Sequence, residues 1–303
     1  MVNYLPEGFN QTSCQFKNIT QVNEAISCQK TFESRAIICD SDHNLIVDLG
    51  VIKGVIPKEE CAMGISEGTT KDIAIISRVN KPVCFKILTL KNDNKFKPYA
   101  ILSRKAVQTE CIDNYIKYLT PGDIVKGKIT HMESFGCFVD IGCGIISLLP
   151  IDAISVSRIT HPKDRFELGQ NINAIVKSID DNGRICLSHK ELLGTWEQNA
   201  ALFNSGETVA GIIRSIESYG IFVELAPNLA GLAELKEGVK VGQHASVYIK
   251  NIIPERMKIK LIIVDNFDAS YEKPEFNYFV ESGHLDNFTY SPPQSERKIE
   301  TIF

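Results

Sequence analysis

Two phenylalanines three residues apart, Phe135 and Phe138, flank Gly136 in the run FGCFVD, and Lys126 and Lys128 precede them at alternate positions. In a regular strand, residues i and i+3 point to opposite faces. A glycine between them permits a bulge or loop exit that brings both rings to one surface. The two lysines share one strand face, while Val125, Gly127 and Ile129 share the other. Rings beside cations can hold a single nucleic-acid strand whatever its sequence, because every base has a π-face and each stack contributes about 1–3 kcal/mol. Tyr219 and Phe222 repeat the spacing around Gly220. The competing reading of each phenylalanine is barrel core, where most strand phenylalanines lie.

Other residues invite chemistry less convincingly. Asp180 and Asp181 could be paired carboxylates for acid–base work, but they precede Asn182-Gly183, and Asp before Asn-Gly is most simply a turn former. His131, Cys137 and Cys143 lack standard metal-ligand spacing and a fourth partner. The segment 157–166, SRITHPKDRF, carries two arginines, a lysine and a histidine, and reads equally as a phosphate contact or a solvated surface.

The elements that must position these residues recur. HNLIVDLGVIKGVIP from His43, FGCFVDIGCGIISLLP from Phe135 and YGIFVELAPNLAGLAE from Tyr219 share an alternating apolar run, V-D/E-apolar, a glycine and a further apolar run. Their spacing of about 90 residues suits small independent barrels rather than a solenoid. Each is followed by a hairpin: PVCFKILTL and PYAILS across NDNKFK, INAIVKSID and RICLS across Asn-Gly, ASVYIKNII and KIKLII across PERM. Between units, RKAVQTECIDNYIKYL places Ile112, Tyr115, Ile116 and Leu119 on one helical face. Ser188 and Glu191 have capping-box spacing ahead of KELLGTWEQNAALF, in which Trp196 is a packing anchor between barrels.

Length and composition fit two or three ordinary globular domains: 303 residues, 44% apolar and 23% charged. No basic-apolar leader opens the chain, and no apolar run reaches the roughly 18 residues of a membrane helix. The nine cysteines are odd in number, without a CxxC pair. Their aliphatic neighbours, as at Cys39 and Cys186, predict buried, reduced thiols. The net charge of −4 is uneven: residues 265–303 hold eight acids against three bases, which leaves +1 for the first 264. A near-neutral body can still carry a local basic groove.

GDIVKGKITHMESFGCFVDIGCGIISLLP followed by GQNINAIVKSIDDNGRICLSHKE resembles the ribosomal protein S-one domain, a five-stranded OB barrel that binds single-stranded RNA. The third segment resembles it nearly as well in its first half, the first only loosely. The resemblance implies an all-β protein of three tandem five-stranded OB barrels, the third degenerate, joined by short helical linkers. Its expected parts are an N-terminal arm (1–30), a degenerate barrel (31–104), a linker helix (105–120) and a principal RNA barrel (121–189). A second linker helix (190–204), a third barrel (205–264) and an acidic aromatic tail (265–303) packing on that barrel complete it. The family's RNA surface carries over to Phe135, Phe138, Asp180 and Arg184, beside Lys126 and Lys128. Pro150 stands at the family's histidine position, for which His131 is the substitute. In the third unit it carries over to Tyr219 and Phe222, with Glu234 at the histidine position and Lys258 replacing the arginine. In the first, His43 and Ile46 occupy the aromatic positions and Pro57 the histidine position, so the stacking platform is lost.

What the resemblance implies is a cytoplasmic, non-enzymatic protein that holds single-stranded RNA, most directly mRNA, on the small ribosomal subunit. The first barrel would dock on ribosomal proteins; no cofactor, membrane or small-molecule substrate is expected. The rival is a protein-interaction scaffold with incidental RNA contact, favoured at the two ends of the chain. Exoribonucleases carry such modules too, but barrels and linkers leave no segment for a catalytic domain. The short LKEGVKVG (235–242) leaves no room for the helix that usually plugs an OB barrel. The tail's Phe267, Tyr271, Phe276, Tyr278, Phe279, Phe288, Tyr290 and Phe303 are therefore expected to fold back onto the third barrel, with shielding of the Tyr219/Phe222 face by its acids as a bolder variant.

Overall fold

The computed structural model describes residues 4–10, 13–93, 97–269 and 276–303. Fifteen of its strands close three five-stranded barrels. The first holds β1 (Phe32–Cys39), β2 (Leu45–Asp48), β3 (Lys53–Ile56), β4 (Pro82–Asn92) and β5 (Pro98–Ser103). The second holds β6 (Ile124–Glu133), β7 (Gly136–Gly142), β8 (Ile145–Pro150), β9 (Asn171–Ile179) and β10 (Ile185–Ser188). The third holds β11 (Thr208–Glu217), β12 (Gly220–Ala226), β13 (Leu229–Ala233), β14 (His244–Ile253) and β15 (Lys258–Phe267). In each barrel the third and fifth strands pair in parallel, while β4–β5, β9–β10, β12–β13 and β14–β15 pair antiparallel. Alternation drives closure: along β15, Ile259, Leu261 and Ile263 turn into the core while Lys258, Lys260 and Ile262 face out.

The chain divides into two compact units. One takes residues 1–119 together with 126–128 and 140–146; the other takes 120–125, 129–139 and 147–303.

Several expected boundaries shift. The N-terminal arm is built into the first barrel: α1 (Ile19–Cys28), capped by the Asn18 side chain at 3.0 Å from the Gln21 N–H, sends Val22 and Ala25 into that core beside Phe16. The short α2 (Ile73–Ile76) lies between β3 and β4. The first linker helix, α3 (Arg104–Asn114), is capped by Ser103 and buries Arg104, Val107, Gln108 and Cys111. The face expected at Ile112, Tyr115, Ile116 and Leu119 does not form, because Tyr115 leaves helical geometry (φ −137°, ψ −62°). The second linker is not one helix over 190–204. Gly194, at φ +84°, breaks it, and a Cβ there would meet the Phe279 ring at 2.5 Å. Only α4 (Trp196–Ala200) follows, and the capping box is Thr195 with Gln198 rather than Ser188 with Glu191.

Between β13 and β14 no helix is present among the described residues, as LKEGVKVG implies. The tail packs on the third barrel and also beyond it. Tyr290, 6% exposed, joins Trp196 in the third core, and its hydroxyl donates to the Asn228 carbonyl at 2.6 Å. Phe288, on β16 (Asn287–Thr289), packs on the same core and pairs with Thr301 of β17 (Glu300–Ile302). Phe276 and Tyr278 instead enclose His189, at the end of the second barrel. Tyr271 lies outside the described residues.

Candidate nucleic-acid interface

Phe135, 55% exposed, sits at the tip of the β6–β7 hairpin, with half-buried Phe138 on β7. Their rings meet edge-to-face, centroids 6.1 Å apart at 88°. Gly136 makes this possible: a Cβ there would stand 2.5 Å from the Leu149 carbonyl oxygen. The third barrel repeats the arrangement. Tyr219, 67% exposed, meets Phe222 at 6.2 Å and 89°, and a Cβ at Gly220 would fall 2.6 Å from the Ala233 oxygen. Neither pair is core. In the second barrel His131, exposed on β6, extends the platform: its ring lies 6.0 Å from Phe138, and Nε2 is 2.6 Å from Glu133 Oε1.

Asp180 and Arg184 flank the β9–β10 turn and both are exposed. The Asp180 carboxylate accepts the N–H groups of Asn182 and Arg184 at 2.9 and 2.8 Å, which holds the Asn-Gly turn. Its Oδ1 is occupied within the turn, while Arg184 projects from it. Cys186 pairs with Leu148 on β8, which neighbours β7, so only β8 separates the strand after Arg184 from the phenylalanines. Lys126 is exposed on β6. Lys128 departs from expectation: it is half-buried, and its ammonium donates to the Gly8 carbonyl at 2.6 Å.

Residues 118–190 match the S1 RNA binding domain. The small ribosomal subunit protein bS1 of Staphylococcus aureus (strain MRSA252) is 30% identical over 266 residues, covering 81% of this chain and 65% of that protein. Its namesake from Staphylococcus haemolyticus (strain JCSC1435) is 32% identical over 236 residues, covering 72% and 57%. The chain is an S1-like protein. It spans 65% of the length of the first of these relatives.

One functional candidate of the S1-like chain escaped sequence reasoning. Phe222 pairs with Leu232 on β13, and Leu232 with Lys260 on β15, so Lys260 lies in one cross-strand row with Phe222, two strand spacings or about 10 Å away. Lys258, two residues earlier and also exposed, shares its face. The signal was available: KIK alternates two lysines about a buried isoleucine. In the first barrel, His43 turns at φ +63° with Nδ1 3.8 Å from Asp72, and Ile46 is half-buried between Ile38 and Val55. No ring pair stands there among the described residues.

The shared V-D/E-apolar motif proves architectural. Asp48 accepts the Gly50 N–H at 2.9 Å, and buried Asp140 accepts those of Glu7, Gly142 and Gly144 at 2.9–3.1 Å. Burial drives Asp140 up to about 7. Glu224, 5% exposed, is clamped by Arg165 and by Arg214 at 2.8 Å. Arg165 belongs to the segment 157–166, read as a phosphate contact or a solvated surface. Its role here is neither: it struts the second barrel against the third, with the Ser157 N–H donating to the Pro227 carbonyl at 3.2 Å.

Proposed function

We propose that the second and third barrels bind single-stranded RNA by stacking its bases on the Phe135/Phe138 and Tyr219/Phe222 pairs. The observation that carries this is the recurrence of one ring geometry, 6.1 Å at 88° and 6.2 Å at 89°, each with an exposed outer ring. A solvent-facing aromatic forfeits burial, and an edge-to-face pair presents one open face to a base. His131 widens the first platform; Arg184, Lys126, Lys258 and Lys260 supply cations for phosphates. With relatives that are small ribosomal subunit proteins, the reading extends to mRNA held during translation in the cytoplasm, without catalysis. No helix among the described residues is long and apolar enough to cross a membrane.

The first barrel takes a different role in this reading. It offers exposed aliphatics, Ile37 at 44% and Ile38 at 54%, where the others offer rings. An aliphatic surface docks protein rather than bases. Filter binding of the full chain to homopolymer RNAs at two salt concentrations tests the proposal. Micromolar or tighter binding that weakens with salt is expected; absence of binding at low salt overturns it.

A further inference from the structure

Three of the nine cysteines come together in the first compact unit. Cys84 on β4, Cys111 on α3 and Cys143 in the β7–β8 turn form a small buried cluster with Val107. All three are free thiols. The Cys84 thiol donates to Glu33 Oε2 at 3.6 Å, and the packing of Cys111 and Cys84 around the Cys143 sulfur favours its thiolate and pulls it below the ordinary thiol range. The same neighbourhood, with burial, pushes the Cys84 and Cys111 thiols up. Cys143 is held in place by its left-handed φ of +49° and by its N–H on the Leu5 carbonyl at 2.9 Å.

Access and a proton acceptor are both at hand. A cavity of about 740 Å³ is lined by Cys84, Cys143 and Glu33, among others, whereas Cys111 has no exposed surface. Glu33 Oε2 lies 3.6 Å from the Cys84 sulfur, and its Oε1 is buried without a hydrogen-bond partner. A metal centre is not the alternative, since no group of three histidine, cysteine or acidic side chains among the described residues is arranged to hold a metal ion.

We propose that Cys143 is a peroxide-sensitive thiol resolved by Cys84, so that oxidation locks the β7–β8 turn onto β4. The Cys143 thiolate attacks one oxygen of hydrogen peroxide. The O–O bond breaks, hydroxide leaves and is protonated to water, and Cys143 becomes a sulfenic acid. The Cys84 sulfur then attacks the Cys143 sulfur while its proton passes to Glu33. The S–O bond breaks, the departing hydroxide takes that proton from Glu33 and leaves as a second water, and a disulfide remains. Two thiols have been oxidised and one peroxide reduced to two waters.

The test treats the full chain with hydrogen peroxide and maps its cysteines by mass spectrometry. The expected product is a Cys84–Cys143 peptide. Cys84→Ser should give no such peptide but a Cys143 sulfenic acid that dimedone captures; Cys143→Ser should give neither. A link from Cys143 to Cys111, or oxidation at exposed Cys28 with Cys143 untouched, overturns the proposal. A second measurement needs no variant: in the untreated wild-type chain, iodoacetamide should alkylate Cys143 at least about tenfold faster than buried Cys61 and Cys137, whose thiols burial pushes up to about 12. Equal rates count against it.

Discussion

At the scale of single residues, the candidate interface is a set of side chains whose burial would be cheap and whose exposure therefore calls for a partner. Phe135 and Tyr219 each leave more than half their surface in water. Replacing Phe135 and Phe138 by alanine together should weaken single-stranded RNA binding by about 2–5 kcal/mol, read by filter binding on a variant whose thermal melt is unchanged. Unchanged affinity would move the site elsewhere. Lys260→Ala should cost less and flatten the dependence of log affinity on log salt by about 0.7 if one phosphate contact is lost. Lys128→Ala should leave that slope alone, because its ammonium is engaged by the Gly8 carbonyl. The ring pairs were legible in the sequence because their spacing around a glycine is local. The fate of Lys128 was not, since its partner lies 120 positions away.

At the scale of elements, two contacts decide how the second and third barrels and the tail hold together. His189, fully enclosed, has Nδ1 3.0 Å from the Ile154 carbonyl and Nε2 3.1 Å from the Tyr278 hydroxyl, which itself accepts the Asn173 N–H at 3.1 Å. The tautomer that satisfies all three carries its proton on Nδ1. Burial, with Arg165 nearby, lowers the imidazole from 6.5 to about 4. The unfolded chain therefore takes up a proton before the folded one does. Its contribution is intact above pH 6.5 and declines as pH falls towards 4, by up to about 3 kcal/mol. Denaturant melts between pH 7 and 4 should show a steeper loss in wild type than in His189→Gln; parallel curves would refute it. The Glu224 clamp behaves differently. Glu224→Ala strands two arginines that are 4% and 11% exposed, so a loss of about 3–5 kcal/mol is expected in the same melts.

At the scale of the whole molecule, the distribution of labour among the barrels is the testable feature. Removing all four rings, Phe135, Phe138, Tyr219 and Phe222, leaves the first barrel intact with only its aliphatic surface. Such a chain should show no measurable RNA binding at physiological salt, and micromolar residual affinity would assign RNA to the first barrel. Truncation after Asp268 removes Tyr290 from the third core, where a large aromatic lost to a cavity costs about 3–5 kcal/mol. Stability should fall while RNA affinity holds, since Tyr219 is open to solvent with the described tail in place. A gain in affinity would instead revive shielding by the acids of the tail.

The number of barrels, their strand alternation, the Asn-Gly turn of the second barrel and the two ring pairs were legible in the sequence alone. Each of these is written in residues close together along the chain: a period of two, an Asn-Gly turn, a glycine between two aromatics. Everything that depends on distant partners needed the folded chain. Phe279 packs on Gly194, where the second linker breaks; Glu224 chooses arginines 59 and 10 residues away; Tyr278 reaches back 89 residues to His189. The helix face predicted at Ile112, Tyr115, Ile116 and Leu119 failed for the same reason, since the buried side of α3 is set by what it packs against rather than by its own apolar count. Local pattern fixes which way a side chain points, but burial energy is collected only where another segment arrives to cover it.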